Sequence, residues 1–427
     1  MGKKLAADAE RASFVRHGRL RRSNGWSNAL RVLLTAAVVV GLSGVATAAY
    51  AVWGLVNNVR TVELGNNNAK TVGAGAQKID GELTILLVGS DSRAGQSIND
   101  GEEGELNDVN LLLHVSADHQ NATVVSFPRD LMVPVPSCPG PEGEPDYYPA
   151  MSEQQLNSMM QYGGLPCVAR TISELSGMEI DYAGLVTFDG VIGISNAIGG
   201  VDVCLTQPIV DEAANLDLPA GINTLVGEQA LQFLRTRHGV GDGGDTSRIS
   251  NQQVFMSALV RKLKSADTLS DPVKVYALAK AGVDNMTLSS NMASVQFMQA
   301  IAGTVKDIDL DRINFVQYPS FTHPYQEGRL TPDRVNAEQL FEVLKSGAPF
   351  EVTGVGEGVE VEGQPSAPTE TPGEEVPVDP NAPAEDPGAT TDGTTPPPAG
   401  DGTIKLPDSI TGTRASEETC SQGRTVF

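Results

Sequence analysis

The sequence predicts an α/β protein in which helices pack on both sides of a central mixed β-sheet, a three-layer sandwich, after a single N-terminal transmembrane helix. Short runs rich in Val, Leu and Ile alternate with longer segments whose apolar residues recur every three or four positions. Two of the short runs, 108–115 and 122–127, are joined by a turn-forming segment and should pair as a hairpin, which makes the sheet mixed. One uncharged stretch near the N-terminus is long enough to cross a bilayer.

The N-terminal region has the charge pattern of a membrane anchor. Residues 1–31 carry eight Lys and Arg against two acids, and residues 32–56 are 25 consecutive uncharged residues. At about 1.5 Å per residue, such a helix spans the ~30 Å hydrocarbon layer. The basic tail predicts a cytoplasmic N-terminus, a single pass through the cell membrane and an extracytoplasmic remainder. A cleaved signal peptide is the alternative, because Ala46-Thr47-Ala48 resembles a processing site.

The rest of the chain divides by composition. We expect a stalk (57–78), a folded catalytic domain (79–346), an acidic linker rich in Pro, Gly and Thr (347–403), and a short C-terminal segment (404–427). Residues 351–401 hold twelve Asp and Glu and no Lys or Arg, a composition that predicts disorder. The net charge of −23, without a basic patch that contains aromatic residues, argues against a nucleic-acid partner.

Apolar periodicity predicts strands and helices in alternation within the folded domain. The predicted strands are 83–88, 108–115, 122–127, 185–188 and 201–205. The predicted helices are 152–177, 190–198, 227–235, 248–263, 271–278, 291–305 and 337–344. A domain of this length can bury a sizeable core.

Four cysteines, Cys138, Cys167, Cys204 and Cys420, all follow the predicted anchor. An even number in an oxidising compartment favours disulfides, and the chain has no CxxC motif that would indicate a metal site. We expect Cys138–Cys167 to close a Pro- and Gly-rich insertion. Cys204–Cys420 would then hold the C-terminal end on the core, which is one of three possible connectivities.

Charged residues stand where predicted strands end. Asp91 and Asp108 each flank a strand, and Pro128-Arg129-Asp130 follows another. Carboxylate oxygens suit Mg²⁺ or Mn²⁺, with phosphate oxygens completing the coordination. Taken singly, each aspartate is also compatible with a loop cap, and Arg129 with Asp130 is compatible with a structural ion pair.

A second charged group follows the predicted helix 227–235. Arg235 and Arg237 would point roughly 200° apart in a regular helix, so both can reach one anion only if the chain is extended there. The alternative is a solvated basic helix end. Several guanidinium groups and metal-binding carboxylates together suit a site that holds a pyrophosphate and transfers a phosphoryl group. We therefore expect Asp91, Asp108, Arg129, Arg235 and Arg237 to face one cavity.

Together these segments resemble the LytR–CpsA–Psr family. The resemblance covers about residues 80–265, and the paired cysteines are similar to those of actinobacterial members. It rests on Leu-Leu-Val-Gly-Ser-Asp91-Ser-Arg93, Asp108-Val-Asn-Leu-Leu, Ser-Phe-Pro-Arg129-Asp130, Ile-Gly-Gly-Val-Asp-Val-Cys204, Gly-Glu-Gln-Ala-Leu-Gln-Phe-Leu-Arg235-Thr-Arg237, Asp245-Thr-Ser-Arg248 and Gln252-Gln253.

The resemblance implies a phosphotransferase that moves a glycopolymer from a polyprenyl-pyrophosphate carrier onto peptidoglycan. Asp91 and Asp108 would hold Mg²⁺ or Mn²⁺, and Asp91 or Asp130 would deprotonate the attacking hydroxyl. The implied pyrophosphate ligands are Arg93, Arg129, Arg235, Arg237, Arg248 and Gln252. An apolar groove between sheet and helices would hold the lipid tail, with Phe188, Val191, Ile192, Ile194, Leu231 and Leu234 as its lining or as ordinary core.

Two positions depart from the family pattern. Leu106 and Asn251 stand where the family often has arginine, so two positive charges are expected to be missing from the anion site. Two other functions remain open at this point. One is a polyprenyl-pyrophosphate pyrophosphatase with water as acceptor, and the other is a non-catalytic wall-binding or regulatory module with the same fold.

Overall fold

A computed structural model describes residues 25–57, 59–65, 70–73, 75–91, 105–140, 144, 146–265, 268, 271–361 and 403–424. The chain forms two compact units, Met1–Gly54 and Leu55–Phe427. Helix α1 (Gly25–Asn57) contains the predicted anchor. Across the residues just given, no helix combines the length and apolar character needed to cross a membrane. Residues 1–24 of the predicted tail and 362–402 of the predicted linker lie outside the described residues.

Seven further helices belong to the described part of the second unit. They are α2 (Met159–Ser176), α3 (Phe188–Ala197), α4 (Glu228–Arg235), α5 (Asp245–Lys264), α6 (Pro272–Asn285), α7 (Val295–Val305) and α8 (Arg334–Ser346). Side chains of Asp271, Ser294 and Asp333 cap the first turns of α6, α7 and α8 by accepting backbone N–H groups. Short 3₁₀ turns occupy Leu156–Ser158, Ser290–Met292 and Leu310–Arg312.

The strands are short, and most are buried. In chain order they are β1 (Arg60–Val62), β2 (Leu83–Ser90), β3 (Asn107–Val115), β4 (Ala122–Phe127), β5 (Met132–Val135), β6 (Met151–Gln155), β7 (Tyr182–Val186), β8 (Val201–Leu205), β9 (Ile209–Asp211), β10 (Leu216–Leu218), β11 (Gly221–Leu225), β12 (Met286–Ser289), β13 (Ile313–Gln317), β14 (Ser320–Thr322), β15 (Leu330–Pro332), β16 (Phe350–Glu351), β17 (Val359–Val361), β18 (Ile404–Lys405), β19 (Gly412–Arg414) and β20 (Thr419–Ser421).

Eight of these strands form the central sheet, in the order β1-β12-β7-β2-β3-β4-β13-β19. Strands β2, β3 and β4 are antiparallel neighbours, and the predicted β3–β4 hairpin is present. Strand β7 runs parallel to β2, and β13 runs parallel to β4. The sheet is therefore mixed, as predicted.

Helices cover both faces of this sheet. Side chains of a strand alternate between the faces. Leu86 and Val88 of β2 therefore join a core that contains residues of α2 and α8, whereas Ile85 joins a second core with Phe297 and Ala300 of α7. A third core lies between α4, α5 and the smaller sheet of β8 and β11.

Two element predictions were wrong at their ends. Residues 151–155 form strand β6 rather than the start of a helix, because they pair antiparallel with β5. Helix α2 begins only at Met159. Phe188 begins α3 rather than ending a strand, because the Thr187 side chain caps this helix by accepting the Gly190 N–H.

The folded unit also exceeds the predicted 79–346. Strand β1, from the expected stalk, pairs with β12, and β19, from the expected C-terminal segment, pairs with β13. Strand β17 lies in the stretch expected to be disordered and pairs with β20. Both predicted disulfides, Cys138–Cys167 and Cys204–Cys420, are present, and the second fixes β20 beside β8.

Candidate active site

A cavity of about 610 Å³ lies between the central sheet and helices α3, α4 and α5. Leu87, Leu111 and Val124 contribute to its sheet wall. Its helix wall includes Phe188, Val191, Ile194, Leu231, Leu234, Phe255, Met256 and Leu259. Of the predicted groove residues, Ile192 does not line this cavity, whereas Phe188, Val191, Ile194, Leu231 and Leu234 do.

The charged residues of the cavity lie at one edge of the sheet. Strand β2 ends, β3 begins and β4 ends at this edge, since the three strands are antiparallel. Asp91, Asp108 and Arg129 follow or open these strand ends, and all three line the cavity. The Asp91 N–H donates to the Leu106 carbonyl at 3.1 Å, and the Leu106 N–H donates to Asp91 Oδ1 at 2.7 Å. Arg93 lies outside the described residues.

Two arginines are fixed by carboxylates. Arg129 Nη1 donates to Asp108 Oδ1 at 2.7 Å, and Arg129 Nε lies 3.6 Å from Asp245 Oδ1. Arg248 Nη2 lies 2.5 Å from Asp245 Oδ1 and donates to the Asp108 carbonyl at 3.2 Å. Burial acts to lower the pKa of Arg129, but the charge and hydrogen bond of Asp108 outweigh it, so that pKa is raised. Burial raises the pKa of Asp245 despite both arginines.

Asp130 was expected to be catalytic, but it does not line the cavity. Its Oδ1 accepts hydrogen bonds from Gln155 Nε2 at 2.5 Å and Arg329 Nη1 at 3.0 Å, and its Oδ2 lies 3.6 Å from Arg129 Nε. Burial raises its pKa, and the nearby charge of Asp245 adds to this effect. This position fits a carboxylate that orients Arg129 rather than a base that meets substrate.

The second arginine pair is held through the backbone. Helix α4 ends at Arg235, and Thr236 is extended with φ −59° and ψ 138°, so Arg235 and Arg237 can both line the cavity. Asp211 Oδ2 accepts hydrogen bonds from Thr236 Oγ1 at 2.6 Å and from the N–H groups of Arg237 and His238, both at 3.1 Å. Burial acts to raise the pKa of Asp211, but the Thr236 hydrogen bond and the others outweigh it, so that pKa is lowered.

Arg235 and Arg237 differ from Arg129 and Arg248 in their described partners. Within the described ranges, neither guanidinium has a carboxylate oxygen within 4.0 Å. The Arg235 guanidinium carbon lies 4.8 Å from the centre of the Phe188 ring, a cation–π arrangement.

Helix α5 braces the end of α4. Gln252 lines the cavity, and its Nε2 donates to the Leu234 carbonyl at 2.9 Å. Asn251 Nδ2 donates to the Phe233 carbonyl at 2.9 Å, and Asn251 Oδ1 accepts from Ser421 Oγ at 2.7 Å. Asn251 is fully buried and does not line the cavity. Asn251 therefore contacts the end of α4 and Ser421 rather than the cavity.

The donor set for a divalent cation is modest. Asp91 and Asp108 line the same cavity, and the Asp108 side chain is 26% exposed. Among the residues with described positions, no group of three or more His, Cys, Asp or Glu side chains could hold a metal. Two carboxylates nevertheless fit Mg²⁺, which commonly takes one or two protein carboxylates together with substrate phosphates and water.

The fold and the cavity define a class of protein, an α/β protein whose binding site is cationic at the sheet edge and apolar between sheet and helices. The sequence profile of the LytR_cpsA_psr family matches residues 55–346. The chain belongs to this family.

Several known proteins are similar to this chain. It is 30% identical over 261 residues to the cell wall biosynthesis protein LcpA of Corynebacterium glutamicum, covering 52% of this chain and 48% of LcpA. It is 24% identical over 235 residues to the polyisoprenyl-teichoic acid–peptidoglycan teichoic acid transferase TagT of Bacillus subtilis, covering 51% of this chain and 67% of TagT. The chain thus spans about half the length of curated relatives such as LcpA and the probable cell wall biosynthesis protein LcpB of the same organism.

The fold also has a counterpart among solved structures. The crystal structure of B. subtilis TagV matches with a TM-score of 0.50 and 20% identity, covering 63% of this chain and 98% of the TagV chain. This likeness concerns the fold.

Sequence reasoning did not assign roles to Asp211 and Asp245. Asp211 accepts hydrogen bonds from the Thr236 hydroxyl, 25 residues away, and from backbone N–H groups 26 and 27 residues away, a relation without a local signal. Asp245 was visible as the first residue of Asp245-Thr-Ser-Arg248, and the i,i+3 spacing on a helix could have indicated its ion pair with Arg248.

Proposed function

We propose that this chain is a phosphotransferase that moves a glycopolymer from a polyprenyl-pyrophosphate carrier onto peptidoglycan. One observation carries the proposal: a single cavity joins four arginines and three aspartates, Asp91, Asp108 and Asp211, to an apolar interior. A polyprenyl pyrophosphate has the same two-part chemistry, an anionic head on a hydrocarbon chain. The name of TagT, a teichoic acid transferase that acts on peptidoglycan, supports the same class of reaction.

The four arginines of the cavity would contribute to pyrophosphate binding in two different ways. Arg235 and Arg237, which have no carboxylate oxygen within 4.0 Å among the described residues, would supply positive charge, and Gln252 would supply a polar group beside them. Arg129 and Arg248 are held in fixed orientations by Asp108 and Asp245. Guanidinium groups suit this task because they bind phosphate oxygens through two parallel hydrogen bonds.

In the reaction, an acceptor hydroxyl attacks the phosphorus that bears the glycan. A new phosphorus–oxygen bond forms, the bond to the bridging oxygen breaks, and polyprenyl monophosphate leaves. The hydroxyl proton passes to a base, and Asp91 is favoured over Asp130 because only Asp91 lines the cavity. Asp91 and Asp108 would hold Mg²⁺ or Mn²⁺, which when bound neutralises charge on the phosphate oxygens. The arginines stabilise the same charge.

The lipid tail would lie against Phe188, Val191, Leu231 and Leu234, between helices and sheet. The uncharged run 32–56 would anchor the chain in the cell membrane, with the N-terminus cytoplasmic and the catalytic part extracytoplasmic. Two disulfides suit an oxidising compartment. The chain should stay with membranes after a high-salt wash, and protease added to intact cells should digest the part after the anchor. Recovery in the soluble fraction would contradict this placement.

The proposed activity is tested with the full chain in detergent. A labelled glycan on a polyprenyl pyrophosphate is supplied with Mg²⁺ and peptidoglycan, and both transferred label and polyprenyl monophosphate are measured. Arg129→Ala and Asp108→Ala should each lower transfer about 10²- to 10³-fold. Arg312→Ala, which changes an exposed arginine at the opposite edge of the sheet, should leave transfer unchanged. Lipid phosphate release without transfer would instead indicate a pyrophosphatase, and neither product would indicate a non-catalytic module.

A further inference from the structure

The hairpin β14–β15 presents exposed aromatic side chains beside the candidate site. Phe321 is 58% exposed and Tyr325 is 91% exposed. Single exposed aromatic residues are common on protein surfaces, so exposure alone decides little. The contacts of this hairpin are more informative.

The hairpin is joined directly to the turn that carries Arg129. Arg329 Nη1 donates to Asp130 Oδ1 at 3.0 Å, and the Leu330 N–H donates to the Asp130 carbonyl at 3.1 Å. The other oxygen of the same carboxylate lies 3.6 Å from Arg129 Nε. Asp130 therefore links an arginine of the cavity to Arg329, whose side chain is 37% exposed at the surface.

The loop between the two strands is internally fixed. The His323 N–H donates to the Arg329 carbonyl at 2.8 Å. His323 Nδ1 accepts from the N–H groups of Tyr325 at 3.2 Å and Gln326 at 3.0 Å, so the neutral ring carries its proton on Nε2. Nε2 lies 3.5 Å from Glu153 Oε1 of strand β6. Tyr325 is thus an exposed residue of an ordered loop, and this order lowers the conformational entropy that the loop loses when a ligand binds.

We propose that Phe321, Tyr325, Arg329 and Glu153 form an acceptor surface that binds the glycan strand of peptidoglycan; this rests on the proposed transferase function. The aromatic rings offer apolar faces for the C–H faces of sugar rings, and the tyrosine hydroxyl offers a polar edge. Arg329 and Glu153 offer hydrogen bonds to hydroxyl and amide groups. Arg329 pairs with Asp130, and Glu153 lies beside the neutral His323 ring and keeps its negative charge, so the surface suits an uncharged polymer better than a polyanion or an anionic lipid.

This placement explains how an acceptor hydroxyl reaches the phosphate. A glycan on the acceptor surface lies next to the Arg129–Asp130 turn, at the sheet edge where the cavity holds its charged residues. Donor and acceptor would then approach the site from different sides. The lipid occupies the apolar cavity, and the glycan lies along the hairpin.

The test compares Tyr325→Ala with Tyr276→Ala in the full chain. Tyr276 is an exposed tyrosine of α6, 42% exposed, and serves as the matched control. Transfer is measured against increasing concentrations of a soluble peptidoglycan oligosaccharide. Tyr325→Ala should raise the acceptor KM about three- to tenfold, the loss expected for one aromatic contact. The carrier KM and the kcat at saturating acceptor should not change. Tyr325→Phe should raise the acceptor KM less than Tyr325→Ala does, because it retains the ring and loses only the hydroxyl.

Titration of the same oligosaccharide into the full chain without carrier separates the two proposals. Binding by the unmodified chain that weakens in Tyr325→Ala but not in Tyr276→Ala supports the acceptor surface, even if no turnover is seen and the transferase proposal fails. Equal binding by both variants, an unchanged acceptor KM in Tyr325→Ala, or no binding by the unmodified chain overturns the acceptor surface. Transfer activity in the unmodified chain would still support the transferase.

Discussion

Two arginine pairs meet in the cavity, and they are held in opposite ways. Arg129 and Arg248 are buried or nearly so, and each lies against carboxylates of Asp108 or Asp245. Arg235 is exposed and Arg237 is partly exposed, and both are positioned by the end of α4 and by the hydrogen bonds from Thr236 and the Arg237 N–H to Asp211. The first pair gains fixed geometry but has its charge compensated. The second pair keeps its charge for a ligand and depends on backbone shape for its position.

This difference predicts which substitutions affect folding and which affect binding. When a buried arginine loses its carboxylate partner, its charge stays buried without compensation, and the fold is destabilised. An arginine that has no carboxylate partner among the described residues, such as Arg237, can be removed without leaving a buried carboxylate unpaired there, so its loss should weaken anion binding alone.

The largest effect is expected for Asp245→Ala. Arg248 is only 4% exposed, and Asp245 is its nearest carboxylate. Removing this partner should lower the free energy of unfolding by about 3 to 5 kcal/mol, since it leaves a buried charge whose remaining carboxylate, Asp108, lies 4.0 Å away. Urea unfolding of the full chain in detergent measures the change.

The control for this prediction is Asp217→Ala, which removes an exposed carboxylate on β10 and should change stability by less than about 0.5 kcal/mol. Asp245→Leu combined with Arg248→Met should recover most of the loss, because it removes both buried charges together. A loss below about 1 kcal/mol for Asp245→Ala would show that the first pair does not depend on its carboxylates.

The next largest effect is expected for Arg237→Ala. It should raise the carrier KM about tenfold to hundredfold, the equivalent of one hydrogen bond between charged groups, without changing urea unfolding. The increase should shrink at high salt, because screening weakens the interaction in the unmodified chain. Arg312→Ala is the matched control. An unchanged carrier KM, or a clear loss of stability, would remove the distinction between the two pairs.

Sequence patterns predicted the central strands of the main sheet better than the short strands at sheet edges. Strands β2, β3 and β4 are six to nine residues long, so their apolar character is legible in the chain. Strands β1, β17 and β19 have three residues each and exist because they complete sheet edges. A segment of that length has too few positions for a periodicity, and only its partner strand defines it.

The candidate site shows the same division. Asp91, Asp108, Arg129, Arg235 and Arg237 were expected to share a cavity, and they do line one. These residues lie at the ends of strands or of a helix, and the sequence predicts where such an element ends. The role of Asn251 could not be read in this way, because its contacts join α4 to β20, which is distant in sequence. Leu106 lines the cavity as an apolar residue and holds Asp91 through its backbone.

A smaller effect is expected for Ser421→Ala. Its hydroxyl is the donor to the fully buried Asn251 Oδ1, which would be left without that partner. Stability should fall by about 1 to 2 kcal/mol in urea unfolding. Because Asn251 also holds the end of α4, Ser421→Ala should slightly raise the carrier KM as well. Unchanged stability would mean that the C-terminal strand does not brace the second arginine pair.

The smallest effect is a pH dependence that has opposite signs for two carboxylates. The pKa of Asp211 is lowered in the fold, below the ordinary 3.8, so its contribution to stability is present above that value and is lost as the pH falls through the folded pKa. The pKa of Asp130 is raised, so its contribution is present below 3.8 and is lost as the pH rises through the folded pKa.

Urea unfolding between about pH 7 and pH 3 tests this contrast with Asp211→Asn and Asp130→Asn, since neither asparagine titrates. The stability difference between the unmodified chain and Asp211→Asn should shrink on acidification, because protonation removes the advantage of the carboxylate that holds the exposed pair. For Asp130→Asn the change has the opposite sign: on acidification, the stability of the unmodified chain should rise relative to that of the variant. If the stability of both variants changed with pH in the same way relative to the unmodified chain, Asp130 and Asp211 would be electrostatically alike. The contrast between the two arginine pairs would then fail.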